Sequence, residues 1–146
     1  MTEERNRNNE PRDGEPERAA QHLADPSLAL DLNAELAAIR ALESWRRSGR
    51  HAKTLVKDAE LRVVLIALQP GARLEEHHAP GRITIHTLVG HLTIRVAERT
   101  IELPVGHVLT LARSVPHDVE ARGESAFLLT IAWPTDQAGA LPTEGA

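Results

Sequence analysis

From residue 51 onward the hydrophobic pattern alternates with a period of two, and turn-forming residues interrupt it about every 6–12 positions. Short alternating segments bounded by Pro, Gly, Asp and Ser are typical of antiparallel strands joined by tight turns. The pattern predicts strands at residues 54–57, 61–69, 83–89, 92–96, 100–103, 108–112, 118–122 and 126–133. Eight short strands with this punctuation indicate an all-β fold, either a double-sheet jelly roll or a small barrel.

One helix is predicted ahead of the strands, over residues 32–48. Apolar residues recur there at three- and four-residue steps, which forms one stripe along a helix. The stripe consists of Leu32, Leu36, Ile39, Leu42 and Trp45. Asp31 or Asn33 can cap its start, and Gly49 suits the position after its end. The stripe needs a partner, either the outside of the β domain or a second copy of the chain.

Four segments follow from these patterns: a disordered tail at 1–26, a helical segment at 27–50, a barrel at 51–135 and a flexible tail at 136–146. The first 26 residues hold seven acidic and four basic residues and few large apolar groups, too few to offset the entropy of ordering. The remainder is nearly neutral, so no nucleic-acid-binding face is predicted. No secretory signal or membrane-spanning stretch is recognised, so we expect a cytoplasmic protein, with a homodimer as the expected assembly.

The chain contains no cysteine. Disulfides, thiolate catalysis and cysteine-bound zinc are therefore excluded, and only histidine and carboxylate remain as metal ligands. These groups concentrate in one stretch, where Glu75, Glu76, His77 and His78 stand between two Pro-Gly turns and His86 follows in the next predicted strand. Nothing resembles a nucleophile elbow or a phosphate-binding glycine loop.

Glycines and histidines between residues 70 and 133 have a characteristic spacing. Gly71, His77 and Gly90 form a first group, and Gly106 and His117 form a second. This spacing resembles the two motifs of the cupin superfamily, with His77 at the first histidine of motif one and His117 at the histidine of motif two. The surrounding residues resemble small single-domain bacterial cupins of uncharacterised function, and the resemblance covers about 60 of the 146 residues.

The resemblance implies a double-stranded β-helix, which is the jelly-roll barrel of cupins. It also implies a divalent metal ion, such as Zn, Fe, Mn or Ni, held by three imidazoles and one carboxylate. Two of those ligand positions fall on Ala79 and Ile83, which cannot ligate. In the second motif, Ala112 and Ser114 occupy the usual proline and second glycine positions.

Three ligands are the minimum for an open metal site, so His77 and His117 need a third, for which His86 is the first candidate. Strict alternation would turn Glu75 to the same side as His77 and leave His78 on the other. Thr84 and Thr87 are candidate cavity residues. Alternation places Thr84 and His86 on the opposite face of their strand from the apolar residues. The sequence therefore leaves open whether His86 faces the cavity.

Three functions are consistent with these residues. The first is a module that binds a small molecule, and a divalent metal, in the barrel cavity without a defined reaction. The second is a metal-dependent dioxygenase or isomerase acting on a small organic acid. The third is a dimeric scaffold with a vestigial site. Arg82, Arg95 and Arg113 are candidate anchors for an anionic ligand.

Overall fold

The computed structural model describes residues 26–133, apart from the side chain of His77. Nearly all of the predicted N-terminal tail and all of the predicted C-terminal tail lie outside this range. Within it, neither helix is long and apolar enough to cross a bilayer.

The predicted helix is present but divided into two, α1 at Leu32–Arg40 and α2 at Glu43–Ser48. Asp31 caps α1, since its carboxylate accepts a hydrogen bond from the Ala34 amide at 3.1 Å. The break falls at Leu42, whose backbone is extended (φ −78°, ψ 138°). Gly49 ends α2 in the left-handed conformation. The predicted stripe survives the break, because its members on both helices join a single buried cluster.

Nine strands follow: β1 Arg50–Lys57, β2 Leu61–Leu68, β3 Arg73–His77, β4 Arg82–Val89, β5 His91–Val96, β6 Arg99–Pro104, β7 Val108–Leu111, β8 His117–Ala121 and β9 Ser125–Ala132. They form a five-stranded sheet in the order β1-β2-β9-β4-β7 and a four-stranded sheet in the order β3-β8-β5-β6. All neighbours are antiparallel. The predicted all-β double-sheet jelly roll is confirmed. Strand β3 was not predicted, because its sequence RLEEH does not alternate between apolar and polar residues.

The main core lies between the two sheets. Alternate residues of β2, β4, β5, β8 and β9 are buried in it or pack against it, as the period of two requires. Ile83 and Ile85 of β4 face Leu92 and Ile94 of β5 across this core, and Phe127 of β9 is fully buried in it.

A second core covers the outer face of the five-stranded sheet. Helices α1 and α2 pack there, and Ile39 and Trp45 contact Leu65, Ala67 and Ala126 in one cluster. The five-stranded sheet is thus buried on both faces near β2 and β9. This explains why β2 reads as an apolar run, LRVVLIAL, and not as an alternation.

The outer face of the four-stranded sheet carries charged side chains instead. Arg73 pairs with Asp118 at 3.2 Å, and Arg95 lies 3.6 Å from Asp118 and 3.5 Å from Glu120. A second group surrounds Glu102, which accepts hydrogen bonds from His91, Thr93 and Arg122. These bonds, chiefly that from His91, hold the pKa of Glu102 below its usual value of 4.5. Exposed pairs of this kind contribute little stability each.

The turn from β4 to β5 carries the chain from one sheet to the other and requires glycine. Gly90 has φ +80°, and a Cβ atom there would lie 2.3 Å from the carbonyl oxygen of Glu124. The Ser125 hydroxyl closes the same turn by accepting a hydrogen bond from the His91 amide at 3.1 Å. Backbone conformation and close packing therefore both select glycine at this position.

Candidate functional site at the β3–β8 end of the barrel

His117 is the first residue of β8 and is buried, with only 3% of its surface exposed. It shares its strand face with Val119 and Ala121, which belong to the core between the sheets, so its side chain points into the barrel. Its Nδ1 donates a hydrogen bond to the Val115 carbonyl at 3.0 Å. Because a carbonyl can only accept, the ring proton in this hydrogen bond is on Nδ1.

His77 is the last residue of β3, and its Cα lies directly opposite that of His117 in the β3–β8 ladder. The approach to this pairing is irregular. Leu74 pairs with Val119, and the next pair is His77 with His117, so Glu75 and Glu76 together face Asp118. This is a β-bulge with one extra residue in β3. It makes positions 77 and 117 direct neighbours across one strand pair.

The bulge corrects the expectation for Glu75, which strict alternation would place on the inner side. Both glutamates of the bulge are exposed. The Glu75 carboxylate acts on Arg73, since it is one of the charges that, after the hydrogen bond to Asp118, raise the pKa of that guanidinium. His78 follows the end of β3 and is also exposed.

His86 lies on the other face of its sheet. On β4, Ile83 and Ile85 belong to the core between the sheets, so His86 belongs to the opposite face. Its partners across the ladder are Leu128, which packs under the helices, and Val108, which is 55% exposed. The structure therefore separates His86 from His117 and corrects the expectation that His86 supplies the third ligand. Thr84 lies on the same outer face as His86.

Thr87 faces the barrel interior and is fully buried, but its position serves the fold. Its hydroxyl donates to the Leu103 carbonyl at 2.9 Å, and its backbone bonds Gly106 and His107. It lies five residues along β4 from Arg82, roughly 17 Å at the usual rise per residue. Thr87 is thus displaced along the barrel from the end that carries His117.

Two loops close the His117 end of the barrel, one at 78–81 and one at 112–116. The Ser114 amide donates to the Ala79 carbonyl at 2.9 Å and joins the loops. Ser114 has φ +67°, a conformation that favours glycine. The second motif of cupins places glycine at this position, so the backbone follows the motif where the sequence does not.

The residues present do not fit the four-ligand metal centre of the usual cupin motif. Ile83 is buried in the apolar core and Ala79 packs against it, so two ligand positions carry aliphatic side chains. Among the side chains that the structure describes, no three His, Asp or Glu residues are grouped to hold a metal ion. Of the three predicted ligands, only His77 and His117 come from one strand pair.

No family model matches the sequence, and the search of curated proteins gave no match. Solved structures are similar. A cupin-superfamily protein from Desulfitobacterium hafniense is 17% identical, with TM-score 0.57, over 59% of this chain and 79% of that one. A cupin-2 domain protein from Shewanella frigidimarina is 13% identical, with TM-score 0.58, over 71% and 94%. The chain has the cupin fold.

A cupin-2 conserved barrel protein from Leptotrichia buccalis is also similar, at 24% identity and TM-score 0.56 over 58% of this chain and 41% of that one. Identities in this range establish a cupin fold and no particular function. Within that fold, Gly71, Gly90, Gly106 and Ser114, the glycine positions of the two motifs, all have positive φ. The cupin backbone is therefore retained here while the ligand positions differ.

Sequence reasoning missed the cavity lined by Arg82, Ala112, Arg113 and Ala132. It named both arginines as candidate anion anchors but had no means to bring them together, because the pairing of β4 with both β7 and β9 is a tertiary feature.

Proposed function

We propose that this cupin binds a small organic molecule at the β3–β8 end of its barrel, without a resident catalytic metal. The observation that carries the proposal is His117: a buried imidazole held in one orientation by the Val115 carbonyl, on an otherwise apolar inner face, with His77 opposite in the ladder. Small-molecule sites typically combine apolar walls with a few fixed polar groups.

The surroundings of His117 supply those apolar walls. Leu74 pairs with Val119 beside the bulge, and Ala79 and Val115 of the two closing loops pack against the same core. The hydrogen bond at Nδ1 fixes the orientation of this buried imidazole among aliphatic groups. A bound molecule with one polar group and an apolar body suits this arrangement.

A divalent ion (Zn, Fe, Mn or Ni) held by His77 and His117 alone is a second candidate. The Nδ1–H bond to a backbone carbonyl favours it, because metal-ligating imidazoles are commonly oriented in this way. Two protein ligands fall short of the three in an open catalytic site, so we assign no reaction to such an ion. The dioxygenase or isomerase alternative requires a third ligand, and neither the exposed Glu75 nor His86 on the outer face of its sheet favours it.

Two measurements on the untagged full-length protein test the proposal. The first is metal content by mass spectrometry, in the wild type and in His77→Ala, His117→Ala and the matched control His107→Ala, an exposed histidine of a turn. We expect less than about 0.1 metal per chain. Near-stoichiometric metal that is lost in both site variants but kept in the control would overturn the metal-free proposal and favour a divalent ion at His77 and His117.

The second measurement is a thermal-shift screen of small organic molecules, followed by NMR titration of the hits. We expect saturable shifts at residues of the 112–116 loop that His117→Ala weakens and His107→Ala does not. Hits that bind both variants equally well would place the site elsewhere.

The homodimer stays a prediction. Val108 offers an exposed apolar side chain next to His86 on the outer face of the five-stranded sheet. Sedimentation of the full-length chain tests this assembly. A monomer at micromolar concentration would contradict it and would also remove the dimeric-scaffold function.

A further inference from the structure

A surface cavity of about 370 Å³ lies at the edge where β4 begins and β7 ends. The ladder explains its position: Ile83 pairs with Leu111 and with Ile131, so Arg82 stands next to Ala112 on one side and Ala132 on the other. Arg113 follows Ala112 and lines the same cavity. The lining consists of two guanidinium-bearing residues and two small alanines.

Among residues 26–133, the two arginines lack the carboxylate partner that four other arginines have. Arg40, Arg73, Arg95 and Arg122 each contact a carboxylate within 4 Å. Arg82 donates to the Thr110 hydroxyl at 3.3 Å, and neither Arg82 nor Arg113 pairs with a carboxylate among residues 26–133. The cavity therefore carries two positive charges and no acidic lining residue. Two like charges at one small cavity repel each other, and an anion between them relieves that repulsion.

We propose that Arg82 and Arg113 bind the carboxylate of a small organic acid in this cavity. The planar fork of a guanidinium matches a carboxylate through two parallel hydrogen bonds, and two such groups specify an anion more strongly than one. The volume is at the lower end of the range for small-molecule sites. This inference deepens the proposed function, on which it rests for the end of the barrel involved, by naming the class of ligand.

The two arginines lie close in sequence to His77 and His117. Arg113 precedes His117 by four residues, and Arg82 follows His77 by five. The hydrogen bond from Ser114 to Ala79 joins the two loops that lead to these arginines. The two histidines and Arg82 therefore flank the same pair of loops, and Arg113 lies within one of them.

Titration of the full-length protein by calorimetry and NMR tests this assignment. The probes are succinate, inorganic phosphate and the neutral succinamide, at low salt. We expect saturable binding of succinate and none of succinamide. Arg82→Gln and Arg113→Gln should each weaken succinate binding about fivefold to tenfold, which corresponds to the loss of one partly exposed charged hydrogen-bond pair. Arg99→Gln, at the exposed first residue of β6, is the matched control and should change the affinity less than twofold.

Several results would overturn the assignment: no saturable succinate binding, equal binding of succinamide, binding of phosphate alone, or equal losses in the Arg99 variant. Because Arg82 and Arg113 are exposed, their glutamine variants are expected to fold, which circular dichroism checks. His117→Ala separates this inference from the proposed function. Arginine-dependent succinate binding that persists in His117→Ala supports the carboxylate site even if the proposed site at the β3–β8 end is wrong.

Discussion

The outer faces of the two sheets are built for different surroundings. The five-stranded sheet packs Leu65 and Ala126 beneath two helices, so its central strands are apolar on both faces. The four-stranded sheet exposes Arg95 and Glu120 to water, so only its inner face is apolar. The difference shows where a polar residue is informative. On the four-stranded sheet a polar residue on the inner face breaks the alternation, and His117 is such a residue. On the five-stranded sheet a polar residue such as His86 can lie on the part of the outer face that the helices do not cover.

The largest effect is expected on the outer face of the five-stranded sheet, which the helices cover. Leu65→Ala removes a fully buried side chain from beneath the helices and should lower the free energy of unfolding by about 3 kcal/mol, through lost transfer energy and the cavity left behind. Arg95→Ala on the wet face is the control and should cost less than about 1 kcal/mol. Denaturant unfolding measures both. Similar losses in the two variants would mean that the helices do not cover this face.

The next effect concerns the crossing between the sheets. Gly90→Ala imposes left-handed strain and a contact with the Glu124 carbonyl, and it should destabilise the fold by about 2–3 kcal/mol. Gly106→Ala is the matched control, because it has φ +86° but open space around its Cβ position, and it should cost about 1 kcal/mol. Chemical denaturation of both variants gives the difference. Equal costs would show that the crossing turn tolerates a side chain.

A smaller change of opposite sign is expected at another crossing between the sheets, from β7 to β8. Ser114→Gly relieves a positive φ in a non-glycine residue and should stabilise the protein by about 0.5–1 kcal/mol. Thermal unfolding measures it, with Ser44→Gly on an exposed helical position as a control that should destabilise. A loss of stability in Ser114→Gly would mean that the serine side chain contributes more than its backbone costs.

The smallest effect lies on the wet face. The pKa of Glu102 is lowered by its bonds to His91 and Thr93, so its contribution is fully present above pH 4.5 and is lost as pH falls through its lower folded pKa. Glu102→Gln should flatten the pH dependence of Tm below 4.5. The pKa of His51 on β1 is lowered chiefly by burial, so the unfolded chain takes up a proton more readily, and the free energy of unfolding decreases as pH falls below 6.5 towards the lower folded pKa. An unchanged profile below pH 4.5 in Glu102→Gln would contradict the role of this group.

The sequence predicts most of the fold because alternating hydrophobic residues and the turn residues between them indicate strands directly. It predicts the site less well, because the face on which a side chain lies depends on whether its position along the strand is odd or even. Counting by twos from Leu74 gives position 76, and only the bulge makes position 77 the partner of His117. A bulge needs one extra residue but no particular residue type. The adjacent Glu75 and Glu76 therefore do not indicate it in the sequence. The break at Leu42 is similar, since neither proline nor glycine marks it.

The hydrogen bond between Ser114 and Ala79 has a further consequence. It joins two loops that are more than 30 positions apart in the chain, so we expect a substitution that shifts the backbone of one loop to shift the other as well. Substitutions in the two loops should therefore combine non-additively in a double-mutant cycle, even where the altered side chains never touch.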